Sequence, residues 1–181
     1  MIGDVHGCYE ELRELLDKVQ WNPTSSDPDL LVFAGDLVDR GPHSDKVVDF
    51  VRKAHAKHGN LVQCVSGNHD ERYPRYKKNL ERKARTPSYV VNMELDKHKK
   101  AVFDSLSPED LAYLRELPPY LRFGNWLVVH AGFEPKKKLF EQESDKVCHI
   151  RYIDPITFKT KGLTKDYEQP PGTVYWTKLY D

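Results

Sequence analysis

The chain has 181 residues, 39% of them hydrophobic, 11% aromatic and 31% charged, enough apolar material for the core of one domain. No apolar run approaches the roughly 20 residues of a membrane-spanning helix, and the N-terminus lacks the layout of a signal peptide. Twenty-eight Lys and Arg against 28 Asp and Glu leave a formal charge of zero, which argues against a general nucleic-acid binder.

Ile2 reads as the end of a strand that runs into Gly3-Asp4. Leu12, Leu15, Leu16 and Val19 recur at helical spacing and predict an amphipathic helix over 9–19. Asn22, Pro23, Ser25 and Pro28 mark a loop, after which Leu30 to Phe33 form a second strand ended by Gly35. Val47, Val48, Val51 and Ala54 predict a second helix starting near Ser44, and Leu61 to Val65 a third strand ended by Gly67. This alternation predicts an α/β sheet with strands pointing the same way. Residues 71–86 read as a helix closed by Pro87. Ser107-Pro108-Glu109-Asp110 signals another helix start, and Pro118-Pro119 its end. Tyr120–Phe123 and Trp126–Val129 flank Gly124-Asn125 as a β-hairpin. From Glu134 to Pro171 the periodicity is weak and no element is predicted.

The neutral total hides an uneven distribution. Residues 1–70 carry 7 Lys/Arg against 12 Asp/Glu, whereas residues 71–100 carry 10 against 4. The second stretch is either a solvated helix face or a positive collar for an anionic substrate. Cys8, Cys64 and Cys148 are odd in number and widely spaced, which fits reduced thiols in a cytoplasmic protein.

Three strand ends carry the same cargo: Gly3-Asp4-Val5-His6-Gly7, Gly35-Asp36-Leu37-Val38-Asp39-Arg40-Gly41 and Gly67-Asn68-His69-Asp70. His130-Ala131-Gly132 ends the second hairpin strand in the same manner. Ligands of open α/β sheets bind at the carboxyl ends of strands, so these loops should converge. Carboxylates, imidazoles and an amide oxygen without cysteine suit Mn, Fe or Zn. Asp4, His6 and Asp36 can serve one divalent ion and Asp36, Asn68 and His130 a second, with Asp36 bridging. Two ions about 3.5–4 Å apart clamp a phosphoryl group for in-line displacement and acidify a shared water.

The four motifs resemble the signature set of the calcineurin-like metallophosphoesterases, on the phosphoprotein-phosphatase branch, over roughly residues 2–132. Gly3-Asp4-Val5-His6-Gly7-Cys8-Tyr9, Trp21-Asn22-Pro23, Arg151-Tyr152-Ile153-Asp154-Pro155 and the ending Trp176 to Asp181 look closest to the symmetrical diadenosine tetraphosphatases and ApaH-like phosphatases. The resemblance implies a four-layer α/β/β/α sandwich and hydrolysis of phosphoanhydrides or phosphate esters, with a nucleotide polyphosphate as the anionic substrate. It implies Asp4, His6, Asp36, Asn68 and His130 as metal ligands, His69 as the general acid oriented by Asp39, and Arg40 as the phosphate grip. Arg72 and Arg151 are either further phosphate contacts or surface residues. The family's full first strand is represented only by Met1-Ile2, and its further ligand histidine, in a C-terminal Gly-His pair, has no counterpart after His149. The expectation is therefore one domain over 1–181, truncated at both ends relative to the family, with part of the second sheet absent and one metal ligand fewer. Rival readings are a protein serine/threonine phosphatase, an endopolyphosphatase, an RNA-cap hydrolase, or a non-catalytic module that keeps the fold for binding.

Overall fold

Ile2 starts the sheet with a single parallel bridge to Phe33, donating its N–H to Val32 O at 2.8 Å and accepting from Ala34 N–H at 2.9 Å. Strand β1 (Leu31–Phe33) pairs in parallel with β2 (Val62–Cys64), so Leu31 lies opposite Val62 and Phe33 opposite Cys64. All three residues of β1 are buried, as expected of a strand covered on both faces. These features come from a computed structural model that describes residues 1–161 and 168–179. Tyr180 and Asp181, the end of the expected C-terminal motif, lie outside the described residues.

Helix α1 (Tyr9–Lys18) buries Leu12 and Leu16, one turn apart on the same face. Leu15 and Val19, expected to share that face, are instead 40% and 59% exposed, Val19 standing at the C-cap just past the last helical residue. Helix α2 (Ser44–His58) buries Val47, Val48, Val51 and Ala54 as its spacing predicts. They pack with Phe33, Leu37, Val38 and Val62 into the main core. Helix α3 (Arg72–Arg85) ends before Thr86-Pro87, because a residue preceding proline is pushed out of the helical region. Helix α4 (Lys97–Ser105) starts at Asp96, whose carboxylate accepts Lys99 N–H at 2.9 Å.

Helix α5 (Pro108–Glu116) opens on a reciprocal capping box between Ser107 and Asp110. Strands β3 (Tyr120–Phe123) and β4 (Trp126–Val129) form the expected hairpin, with Phe123 opposite Trp126. Gly124, at φ 58°, takes the first central position of its two-residue turn, where type II′ geometry requires a positive φ. The stretch without predicted elements holds a short helix α6 (Ser144–Val147) and a small antiparallel sheet. In that sheet β5 (Tyr152–Ile153) runs between β6 (Thr160–Lys161) and β7 (Val174–Tyr175). Phe133, Val147 and Cys148 make a second apolar cluster against Tyr120, Val129 and Leu139 beside the hairpin. Among the described residues, no helix is long and apolar enough to cross a membrane.

Candidate metal centre

The strand-end loops are sewn together by their own backbones. Val5 and His6 both donate N–H to Asp36 O, at 3.1 and 2.9 Å, and Gly7 donates to Leu37 O at 2.8 Å. Gly41 returns to His6 O at 2.7 Å. His6, Asp36, Asp39 and Arg40 all have positive φ (47°, 54°, 72° and 66°), a conformation that ordinary side chains avoid and that marks sites where the surroundings dictate the backbone. Gly67 permits the tightest approach: a Cβ there would lie 2.2 Å from the Asp36 backbone nitrogen and from Asp36 Oδ1.

These constraints aim the side chains at one place. His6 Nδ1 donates to Val38 O and His130 Nδ1 to Ala34 O, both at 2.8 Å. Each ring therefore presents an unprotonated Nε2 when neutral, the usual preparation of a metal-binding imidazole. His6 Nε2 lies 3.6 Å from both Asp4 Oδ2 and Asp36 Oδ2, buried and without a hydrogen-bond partner. His130 Nε2 lies 3.4 Å from Asp36 Oδ2 and 3.1 Å from Asn68 Oδ1. Lone pairs thus face lone pairs, an arrangement that costs free energy until a cation sits among them. The donor separations also suit ligand distances of about 2.0–2.2 Å around an ion. The residues fit a divalent metal site.

Two groupings emerge. Donor atoms of Asp4, Asp36 and His130 lie within 4.8 Å of one another, as do those of His6, Asp36 and His69. Asp36, 3% exposed, belongs to both. Asn68 joins through His130. His69 differs from the expectation in standing close enough to count among the ligand candidates, with Nε2 4.0 Å from Asp36 Oδ2 and its ring edge-to-face with His6. His149 stays apart: it is exposed, and its Nδ1 donates to Asp145 O at 2.6 Å.

His69 Nδ1 meets Asp39 Oδ2 at 2.5 Å, so the expected imidazole–carboxylate pair is present. Asp39 is 3% exposed; its N–H donates to Ser44 Oγ at 3.0 Å, and its carboxylate also accepts from Arg72 and from the Tyr73 hydroxyl. Burial works against the charge of Asp39, but hydrogen bonds from His69 and Tyr73 and the Arg72 charge hold its pKa below the ordinary aspartate value. Arg40 is exposed on the same loop and engages no acidic partner among the described residues. Arg72 faces Asp39 rather than solvent, while Arg151 is exposed and contributes its carbonyl to Trp176 N–H.

Asp70 and Tyr73 escaped the sequence reading. Fully buried Asp70 accepts N–H from Asp36, Leu37 and Gly67 at 2.8, 2.8 and 3.0 Å, tying the second loop to the third. Burial, reinforced by the Asp36 charge, pushes its pKa up to about 6 despite those hydrogen bonds. Its place directly after Asn68-His69 in the third strand-end loop was the available signal; Tyr73 offered none.

Next to the third loop, whose flanking residues Ser66 and Glu71 line its wall, α3 and α5 enclose a cleft of about 780 Å³. Its rim carries Arg75, Lys77, Lys78, Arg82 and Arg85, and its floor includes Leu111. The cationic stretch therefore lines a concave surface instead of encircling the loops.

A family model described as calcineurin-like phosphoesterase matches residues 1–176. Over 138 residues the chain is 37% identical to the symmetrical bis(5′-nucleosyl)-tetraphosphatase of Methylococcus capsulatus, covering 74% of this chain and 42% of that protein. It is 35% identical over 139 residues to the asymmetrical bis(5′-nucleosyl)-tetraphosphatase PrpE of Bacillus subtilis, covering 73% and 56%. The chain spans about half the length of these curated relatives. A crystal structure described provisionally as a diadenosine tetraphosphatase superposes with a TM-score of 0.66 at 29% identity, covering 93% of this chain and 66% of that one. A protein serine/threonine phosphatase from Saccharomyces cerevisiae, 22% identical over 98% of this chain and 46% of its own, shares the fold with a TM-score of 0.51.

Proposed function

The chain belongs to the calcineurin-like phosphoesterase family, and we propose that it hydrolyses phosphoanhydride bonds of dinucleoside polyphosphates with two divalent ions. The observation that carries this reading is the convergence of His6 and His130 Nε2 on the bridging Asp36 carboxylate, next to the His69–Asp39 pair. The choice of substrate is supported by relatives of two cleavage types, both named as bis(5′-nucleosyl)-tetraphosphatases. Asp4, His6, Asp36, Asn68 and His130 hold the ions, as Mn, Fe or Zn. When bound, such ions acidify water and offset charge developing on the phosphoryl oxygens.

The chain's own residues do the rest. Arg40 extends a guanidinium that can take two phosphoryl oxygens at once. As a water oxygen bonds to phosphorus and the bond to the leaving oxygen breaks, protonated His69 gives its Nε2 proton to that leaving oxygen, while Asp39 holds Nδ1–H and fixes the ring. Three free thiols, Cys8, Cys64 and Cys148, support a reducing compartment such as the cytoplasm.

Turnover of diadenosine tetraphosphate, a phosphoserine peptide and inorganic polyphosphate, each with Mn or Zn, tests the reading. Diadenosine tetraphosphate should give the highest kcat/KM. A phosphopeptide or polyphosphate far ahead of it contradicts the substrate, and no turnover of any of the three contradicts the activity.

A further inference from the structure

Tyr73 is fully buried beneath the site, with its ring near-parallel to Phe103 at 6.4 Å between centroids. A phenylalanine would serve that packing equally well. The hydroxyl instead reaches Asp39 Oδ1, while His69 Nδ1 and Arg72 both engage Oδ2. The two oxygens of one buried carboxylate are thus divided between different donors.

That division has a physical consequence. Arginine prefers to grip both oxygens of a carboxylate with two parallel N–H groups. A carboxylate held in that fork would turn away from the imidazole. With Oδ1 occupied by Tyr73, Arg72 is confined to Oδ2, the oxygen that also meets His69. We propose that Tyr73 is a positioning residue for proton donation: its hydroxyl fixes the Asp39 carboxylate so that Oδ2 stays on His69 Nδ1. The inference rests on the reading of His69 as the proton donor. It concerns how that donor is held and leaves the ions aside.

The experiment compares wild type and Tyr73→Phe on phenyl phosphate and p-nitrophenyl phosphate. Nitrophenolate departs as a stable anion without needing a proton, whereas phenolate needs more help, so a misplaced acid penalises only the second. Tyr73→Phe should lower kcat on phenyl phosphate about tenfold, well short of the roughly 10²–10⁴-fold of a lost general acid, and leave the nitrophenyl ester near wild type. Arg72→Met in the Tyr73→Phe background removes the competing fork and should restore most of the loss. Equal losses on both esters, or none, overturn the inference.

A second readout needs no turnover. In the zinc-loaded protein with ¹⁵N-labelled histidine, the His69 Nδ1–H resonance, identified by its absence from His69→Ala, should lie far downfield and move upfield in Tyr73→Phe. An unchanged resonance overturns the positioning role. Wild type inert toward every phosphate substrate would defeat the proposed function, and the resonance would still decide the role of Tyr73.

Discussion

Asp36 carries more of the site than any other residue: its Oδ2 faces His6, His130 and His69, and its Oδ1 accepts His69 N–H at 3.0 Å. Asp36→Asn should therefore cost more activity than any other single ligand change. The expected loss is at least roughly 100-fold in kcat/KM, the upper end of what losing even an outer partner of a ligand costs. Retained activity in Asp36→Asn alongside loss in His69→Ala would refute the bridging role. Gly67→Ala tests the same point sterically, because its new methyl would occupy the space of Asp36 Oδ1. It should lose bound metal in an elemental assay while Gly124→Ala, whose Cβ meets nothing within 4 Å, keeps it. The residues legible in the sequence are those whose side chains point into the shared crevice, since polar residues at strand ends advertise themselves. Asp70 and Tyr73 act on other protein groups, and nothing in residue type or spacing distinguishes that duty from ordinary turn or core roles.

At the level of elements, a helix with an apolar stripe or a capping signal was legible to within a residue or two: α2 through Val47, Val48, Val51 and Ala54, α5 through its Ser107–Asp110 capping box. Helix α4 was missed because Lys97 to Lys100 read as a charge run, leaving Val102 and Phe103 too few to set a period. Strands β5, β6 and β7 have two residues each, shorter than any alternation can reveal, and they form through pairing with one another. The cap of α5 makes a stability prediction. Asp110 closes the capping box and also accepts from Arg52 Nε at 2.8 Å, joining α5 to α2. Ser107→Ala should cost about 1 kcal/mol in urea unfolding, and Asp110→Ala about 2 kcal/mol because it removes the cap and the Arg52 contact together. Equal losses would show that the Arg52 pair adds nothing.

For the molecule as a whole, charge is uneven: carboxylates crowd the strand-end loops, while the cleft beside α3 is lined by more cations than carboxylates, Glu71 and Glu81 among the latter. A polyanionic substrate should be drawn in by the α3 rim and lose that help as salt screens it. KM for diadenosine tetraphosphate should rise with ionic strength, and the slope should flatten in a Lys77→Glu/Lys78→Glu variant whose kcat is unchanged. A slope identical to wild type would leave the rim without a part in capture. Metal that binds only the folded chain must also stabilise it, so chelation should lower Tm, more in wild type than in Asp36→Asn. We propose that Asp4, His6, Asp36, Asn68 and His130 hold two ions with Asp36 between them. Elemental mass spectrometry of the purified chain equilibrated with Mn or Zn addresses it most directly. Wild type should hold two ions per chain and Asp36→Asn fewer; one ion or none in wild type, or two retained in Asp36→Asn, would rule out the shared site.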